Sequence, residues 1–163
     1  MLNDDNVAKL ALGVTGGQLA RIDGGTGIDT ISLLGGSGIN LNLTAITNQA
    51  AGNPDGGSRI DSVEKIDVTG SGNNVLNISV KDVLDMSGMN LFNNGSGWTG
   101  LGASVAKHQV VVDGDAGDTA NLAGGWTDTG TTATYGANTY QIYNASSSAA
   151  QILVDTDIAR FII

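Results

Sequence analysis

A chain of 163 residues, 40% of them hydrophobic, is long enough to form one domain with a sizeable core, and it has no cysteine for a disulfide or a thiolate metal site. The formal net charge is −9, and the seven Lys and Arg residues are scattered rather than gathered into a stripe, which excludes nucleic acid and an anionic membrane surface as partners. No apolar run approaches the roughly 18 residues of a membrane-spanning helix, so membrane insertion is not expected.

The first twenty residues open on Met1-Leu2-Asn3-Asp4-Asp5, which is acidic and lacks a signal-peptide layout. They read as a flexible or linker-like segment of a single module spanning 1–163. Short apolar or alternating runs between Gly, Asn and Asp clusters then predict strands at Thr30–Leu34, Ile39–Leu43, Lys65–Thr69 and Val75–Val80. Further strands are predicted at Gln109–Asp113, Thr119–Leu122, Thr139–Tyr143 and Gln151–Val154. One helix of about two turns is expected over Val80–Met86. Three segments read as loops: Ala50–Ser58 with the only proline, Met86–Ala106 with Phe92 and Trp98, and Gly124–Gly136 with Trp126. A faint internal echo runs through the first half. Arg21-Ile22-Asp23 returns as Arg59-Ile60-Asp61, Ile28-Asp29-Thr30 as Ile66-Asp67-Val68, and Leu41-Asn42-Leu43 as Leu76-Asn77-Ile78. Two copies fall short of the three or so that a solenoid needs, so drifted repeats and shared turn chemistry both remain open.

Of sixteen acidic residues, only Glu64 is not aspartate. Aspartate set among glycines suits tight turns in which a carboxylate points back at backbone or at a cation, whereas a helical acidic surface favours glutamate. Gly24-Gly25-Thr26-Gly27-Ile28-Asp29-Thr30-Ile31-Ser32 matches the calcium-binding nonapeptide GGxGxDxUx once. Its glycines permit the turn and offer carbonyls, and the Asp carboxylate closes the shell; a plain glycine turn capped by Asp29 is the competing reading. Asp113, Asp115 and Asp118 crowd three carboxylates around two glycines, which a divalent cation or full solvent exposure in an acidic hairpin would relieve. The calcium candidates are Asp23, Gly25, Gly27, Asp29, Asp113, Asp115 and Asp118, followed by Asp55, Asp61, Asp67 and Asp128, enough for several ions. The expected fold class is all-β: a β-sandwich-like single domain with long Gly/Asp-rich calcium-binding loops and at most one short helix, a β-roll remaining open.

Catalysis is not expected. His108 is the sole histidine, no Gly-x-Ser-x-Gly elbow precedes a helix, zinc ligands are lacking, and aromatics are only 4% of the chain. His108 reads as a surface or strand-end residue. Trp98 lies among Gly95, Ser96, Gly97, Thr99 and Gly100, which cannot build a core around it. Trp98 with Asn93 and Asn94 is therefore the candidate ligand contact.

The ordered run Arg21–Thr30, Ile39–Thr44, Ile60–Leu76 and Val80–Met86, continued by Val111–Leu122, Gly125–Thr127 and Tyr140–Tyr143, resembles modules near the C-terminal ends of giant RTX adhesins. These are exported by type I secretion from Gram-negative bacteria. The likeness covers most of residues 21–157 and is strongest to the peptide-binding module, a β-sandwich in which a loop calcium holds the C-terminal carboxylate of a target. The resemblance implies a calcium-rich, extracellular, cell-surface module within a longer chain, monomeric, adhering to a peptide or protein terminus on a host or neighbouring cell and supporting biofilm formation. The chain departs from the usual form by a segment inserted at Ser87–Lys107. A calcium-rigidified spacer and a calcium-dependent carbohydrate-binding module, with Trp98 or Trp126 as the stacking platform, are the alternatives.

Overall fold

The computed structural model describes residues 22–33, 38–46, 59–70 and 72–163. The N-terminal segment and the Ala50–Ser58 loop, Asp55 included, lie outside them. The described residues are mostly strand, as expected of an all-β fold.

The strands are β1 (Ile22–Asp23), β2 (Thr30–Ser32), β3 (Asn40–Asn42), β4 (Ile60–Asp61), β5 (Lys65–Asp67) and β6 (Val75–Ser79). Next comes α1 (Val80–Met86), the one α-helix among the described residues, then β7 (His108–Asp113), β8 (Thr119–Ala123), β9 (Trp126–Tyr135), β10 (Asn138–Ala145), β11 (Ala150–Asp155) and β12 (Ala159–Ile162). The sequence places α1 at its observed bounds. Its Ser79 cap is closed by Asp82, whose Oδ2 accepts from Ser79 N and Oγ, both at 2.7 Å.

Two large sheets form, a six-stranded one ordered β2-β5-β7-β11-β10-β9 and a four-stranded one ordered β12-β8-β6-β3. Ile31, Ile66, Val112 and Val154 of the first and Leu41, Leu76, Ile78 and Leu122 of the second belong to one buried core. Two layers around one core agree with the sequence. The pairing does not, because a sandwich pairs its strands antiparallel. Here β2, β5, β7 and β11 are mutually parallel, and so are β3, β6, β8 and β12; the antiparallel pairings are those of β10, with β11 on one side and with the edge strand β9 on the other. The chain therefore winds between the sheets and lays each turn on the last.

The internal echo is this stacking. Ile22 pairs with Ile60 and Leu41 with Leu76, as the repeats align them. The third echo is out of register: Ile66 pairs with Ile31 and not with Ile28. A later turn carries Ala120-Asn121-Leu122 against Leu76-Asn77-Ile78, so more copies exist than the sequence discloses. Stacked partners lie 38 residues apart at β1–β4 and 35 at β2–β5 and β3–β6, then 46 at β5–β7 and 44 at β6–β8, so turns of unequal length break the period.

The turns between sheets bury backbone, and side chains satisfy it. Asn74, 1% exposed, accepts from Ile39 N at 3.0 Å and donates to Val68 O at 2.8 Å. On the next turn Asp118, fully buried, accepts from Asn74 N at 2.8 Å and Asp115 N at 3.0 Å. On the outer face Asn121 donates to Asn77, and Asn77 to Asn40, in a ladder of amides.

One predicted loop is a strand. Gly124–Gly136 holds β9, whose Thr-rich, β-branched run favours strand but sits on a largely exposed edge, so no apolar alternation marks it. Among the described residues no helix is long and apolar enough to cross a membrane.

Asn74→Ala removes both side-chain partners of buried backbone groups and is expected to cost roughly 2–4 kcal/mol. Asn77→Ala, on the half-exposed ladder, is expected to cost less than about 1 kcal/mol. Urea denaturation of the two variants separates them.

Candidate functional site

The best-built site lies where the glycine–aspartate turn before β2 meets the inserted segment. Gly25 and Gly27 hold φ of +85° and +117°, left-handed conformations that the nonapeptide glycines supply. Gly24 is fixed by space: a Cβ there would lie 1.9 Å from Ser62 O and 2.6 Å from the Asp29 Cβ. Asp23 stands beside Asp61 in the β1–β4 pairing, and Asp23 Oδ1 accepts from Gly25 N at 3.1 Å. Asp29 N donates to Glu64 Oε2 at 2.9 Å, while Asp29 Oδ2 is buried without a protein hydrogen-bond partner. Glu64, 4% exposed, has its pKa raised by burial and by the charges of Asp29 and Asp61, against the lowering effect of the Asp29 N–H. The turn thus gathers the predicted Asp23, Gly25, Gly27, Asp29 and Asp61. The sequence reading missed Glu64; its being the sole glutamate was the available signal.

The second cluster is not gathered in this way. Asp113 to Asp118 is a corner between the two sheets, not a hairpin, and its carboxylates point to separate tasks. Asp113 pairs with Lys65 Nζ at 2.8 Å and accepts from Tyr140 Oη at 2.6 Å, Asp118 turns inward onto backbone, and Asp115 is exposed. Asp67 is bonded by Thr69 and Ser32, and Asp128, on β9, by Gly130 N and Gln141. Among the described residues no three His, Cys, Asp or Glu side chains converge in an arrangement that could hold a metal ion. An ion at the 23–29 turn would draw on Asp29 and Glu64 together with backbone carbonyls. Calcium takes such all-oxygen sets, and the orphaned, buried Asp29 Oδ2 fits that role.

Residues 87–107 build a second core on the outer face of the six-stranded sheet. Trp98, 4% exposed, packs with Phe92 at a ring-centroid distance of 5.4 Å and with Tyr135 and Tyr140 at 5.0 Å each. Its glycine-rich neighbours indeed supply no core; β9, β10 and β7 do. Gln109, fully buried, clamps the segment by exchanging two hydrogen bonds with the backbone of Phe92 and donates to Gln151. Asn93 caps the short turn Asn94–Ser96, accepting from Ser96 N at 3.1 Å, and Asn94 is exposed. His108 begins β7 and donates from Nδ1 to Ser87 O at 2.6 Å, fixing the end of the segment.

Between the aspartate turn and this aromatic core lies a pocket of about 180 Å³. Ile28 of the nonapeptide turn and Lys65 form one side; Leu91, Phe92, Ser96, Trp98 and Tyr135 form the other. Ile28 and Tyr135, 46% and 48% exposed, make an apolar rim. Comparison of the chain with protein-family models, curated proteins and solved structures returns no match.

Asp155, opposite Tyr140 in the β10–β11 pairing, is 4% exposed; its pKa is raised by burial first and then by the charges of Asp157 and Asp113, with the Asp157 N–H and Arg160 opposing. Burial likewise pushes the Tyr140 hydroxyl up, reinforced by its bond to Asp113.

Two outcomes follow from this geometry. Trp98→Ala is expected to cost about 3–5 kcal/mol, a core-sized loss, in chemical denaturation. The raised carboxyls of Glu64 and Asp155 favour the folded state when protonated. Their contribution is full below their ordinary values of 4.5 and 3.8 and is lost as pH rises through the higher folded values. Metal-free protein is therefore expected to melt lower at about pH 8 than at about pH 5, and Asp155→Asn to flatten that slope.

Proposed function

We propose that this chain is a calcium-dependent adhesion module that binds a peptide or protein C-terminus at the pocket beside the 23–29 turn. One observation carries the reading. Ile28, inside the calcium-type nonapeptide, is itself a wall of the aromatic pocket, so whatever orders that turn also shapes the pocket. The chemistry of the turn supports calcium: oxygen donors alone, two glycines in left-handed conformations, a buried carboxylate oxygen without a partner and a neighbouring glutamate whose charge burial disfavours. A calcium ion held there would supply a receptor for a ligand carboxylate despite the chain's net charge of −9. Asp29 and Glu64 would hold the ion, with Asp23 and Asp61 adding to the field around it.

The resemblance to RTX adhesin modules points the same way, to an extracellular bacterial surface and a role in attachment. The spacer reading draws support from Asp67, Asp118 and Asp128, each of which bonds local backbone. The glycan reading draws less, because Trp98 and Trp126 are each 4% exposed and offer no open ring face.

The test is capture from a library of peptides with free C-termini, in millimolar calcium and in EDTA. Capture that needs calcium, disappears on C-terminal amidation and falls roughly tenfold or more in Asp29→Asn is expected. Capture unchanged by the chelator overturns the reading; absence of capture by protein shown to be folded in calcium moves the assignment to the spacer.

A further inference from the structure

The pocket has a size and a charge that narrow its occupant. About 180 Å³ lined mainly by apolar and aromatic groups is slightly more than a 150 Å³ apolar cavity that admits benzene. It therefore has room for about one phenyl or branched aliphatic group. Its single cation is Lys65, whose side chain is 25% exposed and whose ammonium spends one donor on Asp113 at 2.8 Å. An ammonium has three donors, so it retains capacity for a second anionic or carbonyl oxygen. Ser96 adds no free donor for a polar side chain, since its one hydroxyl proton is taken by the Leu91 and Asn93 carbonyl oxygens. Leu91, Phe92, Ser96 and Trp98 all come from the inserted segment, so the insertion creates this selectivity.

We propose that the pocket receives the side chain of the ligand's last residue, of leucine or phenylalanine size, while Lys65 Nζ donates to the adjoining carboxylate. This rests on the reading that the ligand ends in a free carboxylate beside the 23–29 turn. The side chain provides discrimination through apolar burial, and Lys65 discriminates carboxylate from amide.

The probes are N-acetyl-phenylalaninate, N-acetyl-leucinate, N-acetyl-glycinate and the amide of the first, titrated calorimetrically into the full chain with calcium and with EDTA. The phenylalanine and leucine probes are expected to bind roughly tenfold or more tightly than the glycine probe. Leu91→Trp, which fills the cavity, is expected to erase that preference. Lys65→Gln is expected to weaken the carboxylate several-fold and leave the amide unchanged, with melting temperatures recorded for both variants. Equal affinity for the phenylalanine and glycine probes in calcium overturns the pocket assignment while leaving the calcium reading standing. A side-chain preference that survives EDTA keeps the pocket and overturns the role of calcium. No binding of any probe by the folded chain overturns the assignment, and if Leu91→Trp does not fold, the probe series on the unaltered chain decides.

Discussion

The structure depends on how buried backbone is satisfied where the chain passes from one sheet to the other. Strands of two to six residues laid parallel cannot hold their corners by ladder bonds alone. Side chains on one turn instead accept amides of the turn before it: Glu64 from Asp29, Asn74 from Ile39 and Asp118 from Asn74. This constraint explains why short polar residues are buried at the corners. It also explains why the carboxylates of one apparent cluster, Asp113 to Asp118, diverge: Asp118 is committed to backbone before any cation is considered.

A second consequence concerns the six-stranded sheet. Its central strands β7 and β11 are buried on both faces, Val110, Val112, Ile152 and Val154 toward the main core and Val111 and Leu153 toward the aromatic core under residues 87–107. A strand covered on both sides reads as a continuous apolar run rather than an alternating one. Val110-Val111-Val112 and Ile152-Leu153-Val154 are such runs. They announce that something must lie over the outer face, and Trp98 is its anchor.

Most strands and the helix were legible because their alternation and caps are local properties. Leu41-Asn42-Leu43 and Leu76-Asn77-Ile78 show the half-buried pattern that the stacked sheet imposes. The winding was not legible, since the turns differ in length and the later copies share only an Asn between small or apolar residues. β9 escaped notice because its threonines face solvent on an edge, where no core enforces a pattern. For the site, the nonapeptide located the turn and its neighbours Asp23 and Asp61, but Glu64 reaches it only through the fold, as does Lys65. Trp98 shows the limit of local reasoning: its sequence neighbours predict exposure, while its partners Tyr135 and Tyr140 lie far along the chain.

The proposed function depends on one property of the 23–29 turn above all, that it holds calcium. Calorimetric titration of calcium into chelator-treated protein, beside Asp29→Asn, tests this most directly. The account predicts saturable calcium binding, in roughly the 10⁻⁴–10⁻³ M range of extracellular modules, with one ion lost in the variant. Identical titrations for the two proteins, or no calcium heat from the folded chain, would contradict it.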